Sequence, residues 1–362
     1  MKRTCKTNSV YQGGTKIVLA SLAAAMLTFG TTAFAIYDPA THTDTLTNQM
    51  VSPTRGNKDA GDFTNYPYPD RNLVINWDYS SNDSRKDGSA IRDATVNAKN
   101  ITIKADFNGN EWTDKGIISD GTTHVTAGGD IDITTHNDGV YTEENGSTTI
   151  DGFKNLTIKA TGHEESYLSI FGFKIFLGYT GGYGLVDNGN GITVQGGEDS
   201  TVHISNAASI QAAVGNSVKN VRTGTGITIS AGQIAIDSPY MAVFAGSGKK
   251  GDFAVNLNAS TVDIRGLVKA SQGGTVSINP DTEGTVSLAA GQGGYEKIEP
   301  SSSSIESSGK GSRVSINENR GGKVQIAGNI AVASGGTVSI QGTKEDSLIL
   351  GNLEASQGGT LD

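Results

Sequence analysis

From Leu73 onward the chain is written in apolar–polar–apolar tripeptides: Ile101-Thr-Ile103, Ile131-Asp-Ile133, Leu156-Thr-Ile158, Val202-His-Ile204, Ile227-Thr-Ile229, Val276-Ser-Ile278 and Val338-Ser-Ile340. Period-two alternation predicts short strands with one apolar face and one polar face. Gly, Asn, Asp and Ser fill the gaps and predict turns. No stretch beyond Ala35 carries helical periodicity, so helix content is expected to be negligible.

A longer phrase is laid over the tripeptides. Ile264-Arg-Gly-Leu-Val-Lys-Ala-Ser-Gln-Gly-Gly-Thr-Val-Ser-Ile278 returns as Ile326-Ala-Gly-Asn-Ile-Ala-Val-Ala-Ser-Gly-Gly-Thr-Val-Ser-Ile340, and begins again at Ile349. The steps from Val262 to Val286, from Val314 to Val338 and from Val324 to Leu348 are each 24. Ala90-Ile91, Ile117-Ile118 and Val140-Tyr141 mark a corner at steps of 27 and 23. Lys99–Ala105 and Lys154–Ala160 are near copies at a step of 55, or two turns. A repeat of about 22–27 residues holding three short strands predicts an all-β chain. The fold expected is a right-handed parallel β-helix (a β-solenoid) over residues 71–362.

One segment interrupts the rhythm. Val140-Tyr141 and Leu185-Val186 are 45 apart, so roughly 20 residues are inserted into one coil, at 163–182. The insert concentrates Tyr167, Phe171, Phe173, Phe176 and Tyr179 in a chain that is only 6% aromatic. It reads as a hairpin. Its aromatic residues either pack on the flank of the scaffold or form a contact site for a partner.

Residues 1–35 differ in kind. Lys2, Arg3, Lys6 and Lys16 precede an apolar run from Ile17 to Phe29, and Ala33-Phe-Ala35 follows. That order is a secretory signal peptide with Ala33 and Ala35 as the small residues of its cleavage site. The run is shorter than a membrane span. Cys5 is the single cysteine, so removal of the signal leaves a chain without disulfides. Residues 36–70, with Pro39, Pro53, Pro67 and Pro69, read as an N-terminal leader or cap.

Charge narrows the partners. The chain has 28 basic and 37 acidic residues, a net of −9. The signal takes four basic and no acidic residues with it, leaving 24 against 37, a net of −13. Such a chain lacks the cationic surface that nucleic acid requires. Gly at 49 of 362 is well above the usual share of about 7%, and fits a turn-dense repeat.

Candidate chemistry is sparse. His42, His124, His136, His163 and His203 are widely spaced, with no His-Glu-x-x-His pair and no Gly-x-Ser-x-Gly elbow. Alternation points His203 outward. Asp151, Asp237 and Asp263 lie by strands but are expected in unrelated coils. Asp187-Asn-Gly-Asn-Gly191 lacks the register of a calcium loop and reads as a turn, as does Asp281. Asn317, Asn319, Asn329 and Asn352 are placed to stack as amide ladders. No catalytic residue, cofactor or metal ligand is assigned.

A signal peptide, an acidic Gly/Ser/Thr/Asn-rich body and repeats of Ala-Ser-x-Gly-Gly-Thr-Val-x-Ile together resemble the passenger region of a type V autotransporter of Gram-negative bacteria. The resemblance covers residues 70–362. It implies export through the inner membrane and display at the cell surface or outside the cell. A translocator barrel, missing from this chain, would carry the passenger out, so the sequence reads as truncated before it. The implied role is non-enzymatic and adhesin-like, with a host-cell, matrix or glycan surface as partner and the aromatic insert as contact. The alternatives are a secreted β-helix enzyme acting on polysaccharides, and a non-functional gene fragment.

Overall fold

The computed structural model of the chain describes residues 36–46, 50–51, 65–76, 89–105, 115–161, 166–170, 173–178, 182–206, 212–216, 224–248, 251–291, 303–318, 322–342 and 344–362. The expected signal segment, with Ala33 and Ala35, lies outside them, as do Phe171, Tyr179, His163 and Asn319. All regular structure among the described residues is β, and 28 strands join into one sheet.

The strands fall into three parallel columns, which the chain visits in rotation. Val140–Thr142 lies in the first column, Ser147–Asp151 in the second and Asn155–Ala160 in the third; the chain then returns to the first column at Leu185–Asp187. Each strand pairs in parallel with the strands one layer before and after. Val140 sits between Ile117 and Leu185, Ile150 between Val125 and Val194, and Leu156 between Ile131 and Val202. The tripeptides explain why. Their apolar residues point inward from all three columns and merge into one continuous core running the length of the stack.

The register corrects two of the steps expected from the spacing. Ile91, not Ala90, pairs with Ile117, so that step is one residue shorter than 27. Leu348 pairs with Gln325, and Ile349 stacks on Ile326, so the last repeat is also a residue shorter than the spacing suggested. In Leu348-Ile-Leu350 every residue is apolar, and alternation cannot choose which one faces inward. The structure places Ile349 in the inward row.

Layers differ mainly at the corner from the third column to the first. Inward Ile264 is followed four residues later by inward Val268, and Ile326 by Ile330. Elsewhere the corner is longer: inward Ile158 is followed by Leu185 at a step of 27, and Leu288 by Ile305 at a step of 17. The first long link holds Ser166–Ile170 and Phe173–Gly178, an antiparallel ribbon that forms a sheet of its own.

Polar ladders run beside the apolar one. Asn100 donates to Asn72 Oδ1 (2.8 Å) and accepts from the Asp130 N–H (2.8 Å). Asn155 then donates to Asp130 Oδ1, and Thr201 to Asn155 Oδ1, both at 2.7 Å. This chain of bonds links successive layers at the start of the third column. Further on, the Asn352 N–H donates to Asn329 Oδ1 at 2.9 Å, whereas Asn317 donates to the Gln341 carbonyl rather than to another asparagine.

Among the described residues, the first strands carry a different pairing. Ile36–Asp38 pairs antiparallel with Thr43–Leu46, the one antiparallel pairing described in the main sheet. Beneath it, buried Asp44 accepts from the Tyr66 hydroxyl (2.5 Å) and pairs with Arg71 (3.4 Å). The Arg71 guanidinium lies 4.4 Å from the ring centroids of both Tyr37 and Tyr68. Burial, then the bond to Asp44 and that residue's charge, raise the Tyr66 hydroxyl far above the ordinary tyrosine pKa. At the turn ahead of it, the Ala40 N–H and the Thr41 hydroxyl hold the Asp38 carboxyl below its usual value.

Candidate functional site

Three places gather chemistry-bearing side chains. The first is internal. Ser119, Thr142 and Asp187 end successive strands of the first column and stack in register. They occupy inward positions, two residues after inward Ile117, Val140 and Leu185. The turn acid read from sequence is therefore an interior residue, and Asp187 is 0% exposed. Asp187 Oδ1 accepts from the Thr142 hydroxyl and from the N–H groups of Gly189 (2.9 Å) and Gly191 (3.1 Å). Oδ2 accepts from the N–H groups of Thr225 (2.8 Å) and Gly226 (2.9 Å). One carboxylate thus ties together three layers.

The backbone makes room for this knot. Gly224 has φ +90°, and a Cβ there would lie 2.2 Å from the Asp187 carbonyl oxygen, so glycine is required twice over. With five donors aimed at its two oxygens, the carboxylate has its capacity spent inside the protein. It can neither accept a proton from a substrate nor reach a cation. The node is structural, and Asp187 ends a strand where the sequence read a turn.

The second place is the outer polar surface. On the second column His124 Nε2 lies 2.7 Å from Asp151 Oδ2, and the Thr126 hydroxyl donates to Asp151 Oδ1 at 2.6 Å. Thr126 Oγ1 is 3.3 Å from the same Nε2. A nucleophile–base–acid relay uses the two ring nitrogens for different partners; here one nitrogen faces both. On the third column His203 is exposed, as alternation indicated, and pairs with Asp237 at 2.9 Å. Arg265 lies 3.9 Å from both Asp237 and Asp263. These two aspartates are not in unrelated coils. Asp237 pairs in register with Arg265, and Ala235 with Asp263, so they occupy adjacent layers. Their separation of 26 residues falls within the expected repeat of about 22–27, so the spacing itself allowed it. Among the described residues no three of His, Cys, Asp and Glu gather closely enough to hold a metal ion.

The third place is the outer side of the first column. Val186 and Phe244 lie on the outer side of the first column. With Tyr183, Ala212, Met241 and Leu267 they form a second buried apolar cluster, separate from the main core. Tyr141 borders it, with Lys115 Nζ 3.8 Å from its ring centroid. Lys115 in turn is 3.4 Å from Asp138, which accepts the Tyr183 N–H at 3.0 Å. Alternation alone does not reveal this cluster. Its signal is nonetheless present, since Ile117-Ile118, Leu185-Val186 and Val243-Phe244 are doubled apolar residues where alternation calls for one, the mark of a strand buried on both faces.

Of the five aromatic residues expected to make contact, Tyr167, Phe173 and Phe176 fall in the antiparallel ribbon, while Phe171 and Tyr179 lie outside the described residues. Tyr167 is opposite Phe176, and Ile170 is opposite Phe173. Comparison with family models, with curated proteins and with solved structures found no match.

Proposed function

We propose that the chain is the exported passenger of an autotransporter-like protein, displayed at the cell surface. In this reading the three columns wind as a right-handed parallel β-helix, and the role is adhesive rather than enzymatic. The observation that carries the proposal is the corner between the third and first columns. There the link lengthens from a step of four to one of 27 while the strands on either side stay in register. Such an arrangement is a rigid scaffold holding out a loop, the usual division of labour between fold and binding site.

Export rests on residues 1–35, and the reading requires a translocator barrel as partner. The aromatic insert is the contact for a host-cell, matrix or glycan surface. Deleting 163–182 is expected to lower binding to cultured cells or matrix while leaving the β signal in circular dichroism unchanged. Undiminished binding by the folded deletion variant would sink the adhesive role of the insert.

A further inference from the structure

Five Asn-x-Ser/Thr triplets occur in the chain, at Asn82, Asn100, Asn145, Asn155 and Asn258. In an exported chain such a triplet is the acceptor for an N-linked glycan, with the sugar carried on the asparagine amide nitrogen. Asn82 lies outside the described residues. Of the other four, the fold uses up three. Asn100, Asn155 and Asn258 sit in strands, with buried Ile101, Leu156 and Ala259 as their middle residues. Their amide nitrogens donate to neighbouring layers: to Asn72 Oδ1 at 2.8 Å, to Asp130 Oδ1 at 2.7 Å and to Ser230 Oγ at 3.3 Å. A sugar on any of them would have to force itself between layers that stand about 4.8 Å apart.

Asn145 is placed differently. It is exposed, in the turn that leads from Val140–Thr142 of the first column to Ser147–Asp151 of the second. The backbone of that turn is held on every side. The Gly146 N–H donates to the Glu143 carbonyl (2.8 Å), and the Gly146 carbonyl accepts the Asn190 N–H (2.6 Å). The Ser147 N–H donates to the Gly121 carbonyl at 2.8 Å. Asn190 Nδ2 donates to the Asn145 carbonyl at 2.8 Å. Position 146 admits only glycine, because a Cβ there would run into the Ser119 carbonyl. The Asn145 amide is the group left over, with no hydrogen bond to it among the described residues. This triplet is also the one with an acid two residues before it, Glu143. The Glu143 carboxylate pairs with Arg92 at 3.2 Å and its side chain is still 30% exposed, a charged handle beside the acceptor.

We infer that Asn145 is the acceptor for an N-linked oligosaccharide delivered from a polyprenyl-diphosphate carrier. The Asn145 amide nitrogen attacks the anomeric carbon of the carrier-linked sugar. A C–N bond forms as the C–O bond to the diphosphate breaks. The amide gives up one proton to a base of the transferase, and the polyprenyl diphosphate leaves. The glycan then stands on the corner between the first and second columns, whereas the aromatic insert stands on the corner between the third and the first. The inference rests on the export reading for its setting and not for its chemistry.

The test uses the folded full chain, a purified bacterial oligosaccharyltransferase and an undecaprenyl-diphosphate-linked oligosaccharide, with peptide mass spectrometry as the readout. The Asn145 peptide is expected to gain the glycan mass, with occupancy at least about tenfold above that of Asn100, Asn155 and Asn258, which are released only by local opening. Asn145→Gln and Ser147→Ala should each abolish the glycan on that peptide, and Ser147→Thr should keep it. No transfer to Asn145, or transfer spread evenly over the four sites, would overturn the inference. The reaction needs neither export nor adhesion. A chain that is glycosylated in this reaction but stays in the cytoplasm when expressed would refute the export reading alone.

Discussion

Asp187→Asn is the sharpest probe of what holds the first and second columns together. The substitution keeps the shape of the side chain and exchanges one acceptor oxygen for an NH2 donor. Whichever way the amide turns, it faces donors it cannot satisfy: the Thr225 and Gly226 N–H groups on one side, or Thr142, Gly189 and Gly191 on the other. Hydrogen bonds to a buried charge contribute about 1.5–3 kcal/mol each, and a stranded buried donor costs about 1–3 kcal/mol. Two lost bonds, partly offset by relaxation, give an expected destabilisation of about 3–5 kcal/mol. Stacked layers do not always unfold as one unit. The assay is therefore urea unfolding together with amide hydrogen exchange read at Gly189, Gly191, Thr225 and Gly226. Exchange should quicken at these four amides while the Val314–Val338 layers keep their protection. A change below about 1 kcal/mol, or exchange spread evenly over the whole stack, would refute the claim that this carboxylate is the local tie.

Two further outcomes follow from other parts of the structure. Because the Tyr66 hydroxyl is raised in the folded state, its contribution is complete below the ordinary tyrosine pKa of about 10 and is lost as pH climbs past it, where the unfolded chain ionises first; absorbance titration should show one tyrosine ionising only as the structure around Tyr66 opens, and Asp44→Ala should lower it only part of the way, because burial, the largest cause, remains. Arg265→Ala, by contrast, removes contacts of 3.9 Å on an exposed face and is expected to shift the unfolding midpoint by less than about 1 kcal/mol; a larger loss would show that the outer charge cluster does more than decorate the third column.

What was legible in the sequence was local. Ile131-Asp-Ile133 or Val276-Ser-Ile278 settles its own strand and inward face, because two β-branched residues flanking a polar one have a single sensible orientation. The two-turn echo of Lys99–Ala105 in Lys154–Ala160 holds in the register, through Ile131 and Leu156. Orientation failed where the pattern offered two answers, at Ala90-Ile91 and Leu348-Ile-Leu350. Asp187 was misplaced for a different reason. A polar residue beside Asn and Gly looks like a turn, and only the pairing of Ser119, Thr142 and Asp187 shows a polar row continuing the apolar one inside the stack. The outer cluster escaped because alternation assumes one wet face. Doubled apolar residues such as Leu185-Val186 say otherwise, but only once the first column is known to need covering.

The repetition of layers has a mechanical consequence. Each layer touches only the ones above and below, and the last two are offset by a step of 23, as in Ile326 over Ile349. Pulled apart from its two termini, such a stack peels from its weaker end instead of rupturing at once. A layer of 23 residues would release about 8 nm of chain and longer layers more, such as the step of 37 from Val268 to Ile305, so a force–extension trace would read as a row of unequal teeth. The tooth at the insert would be almost twice as long, because the step from Val140 to Leu185 is 45. Just beyond it Asp187 fastens three layers together, so the peeling front should stall there.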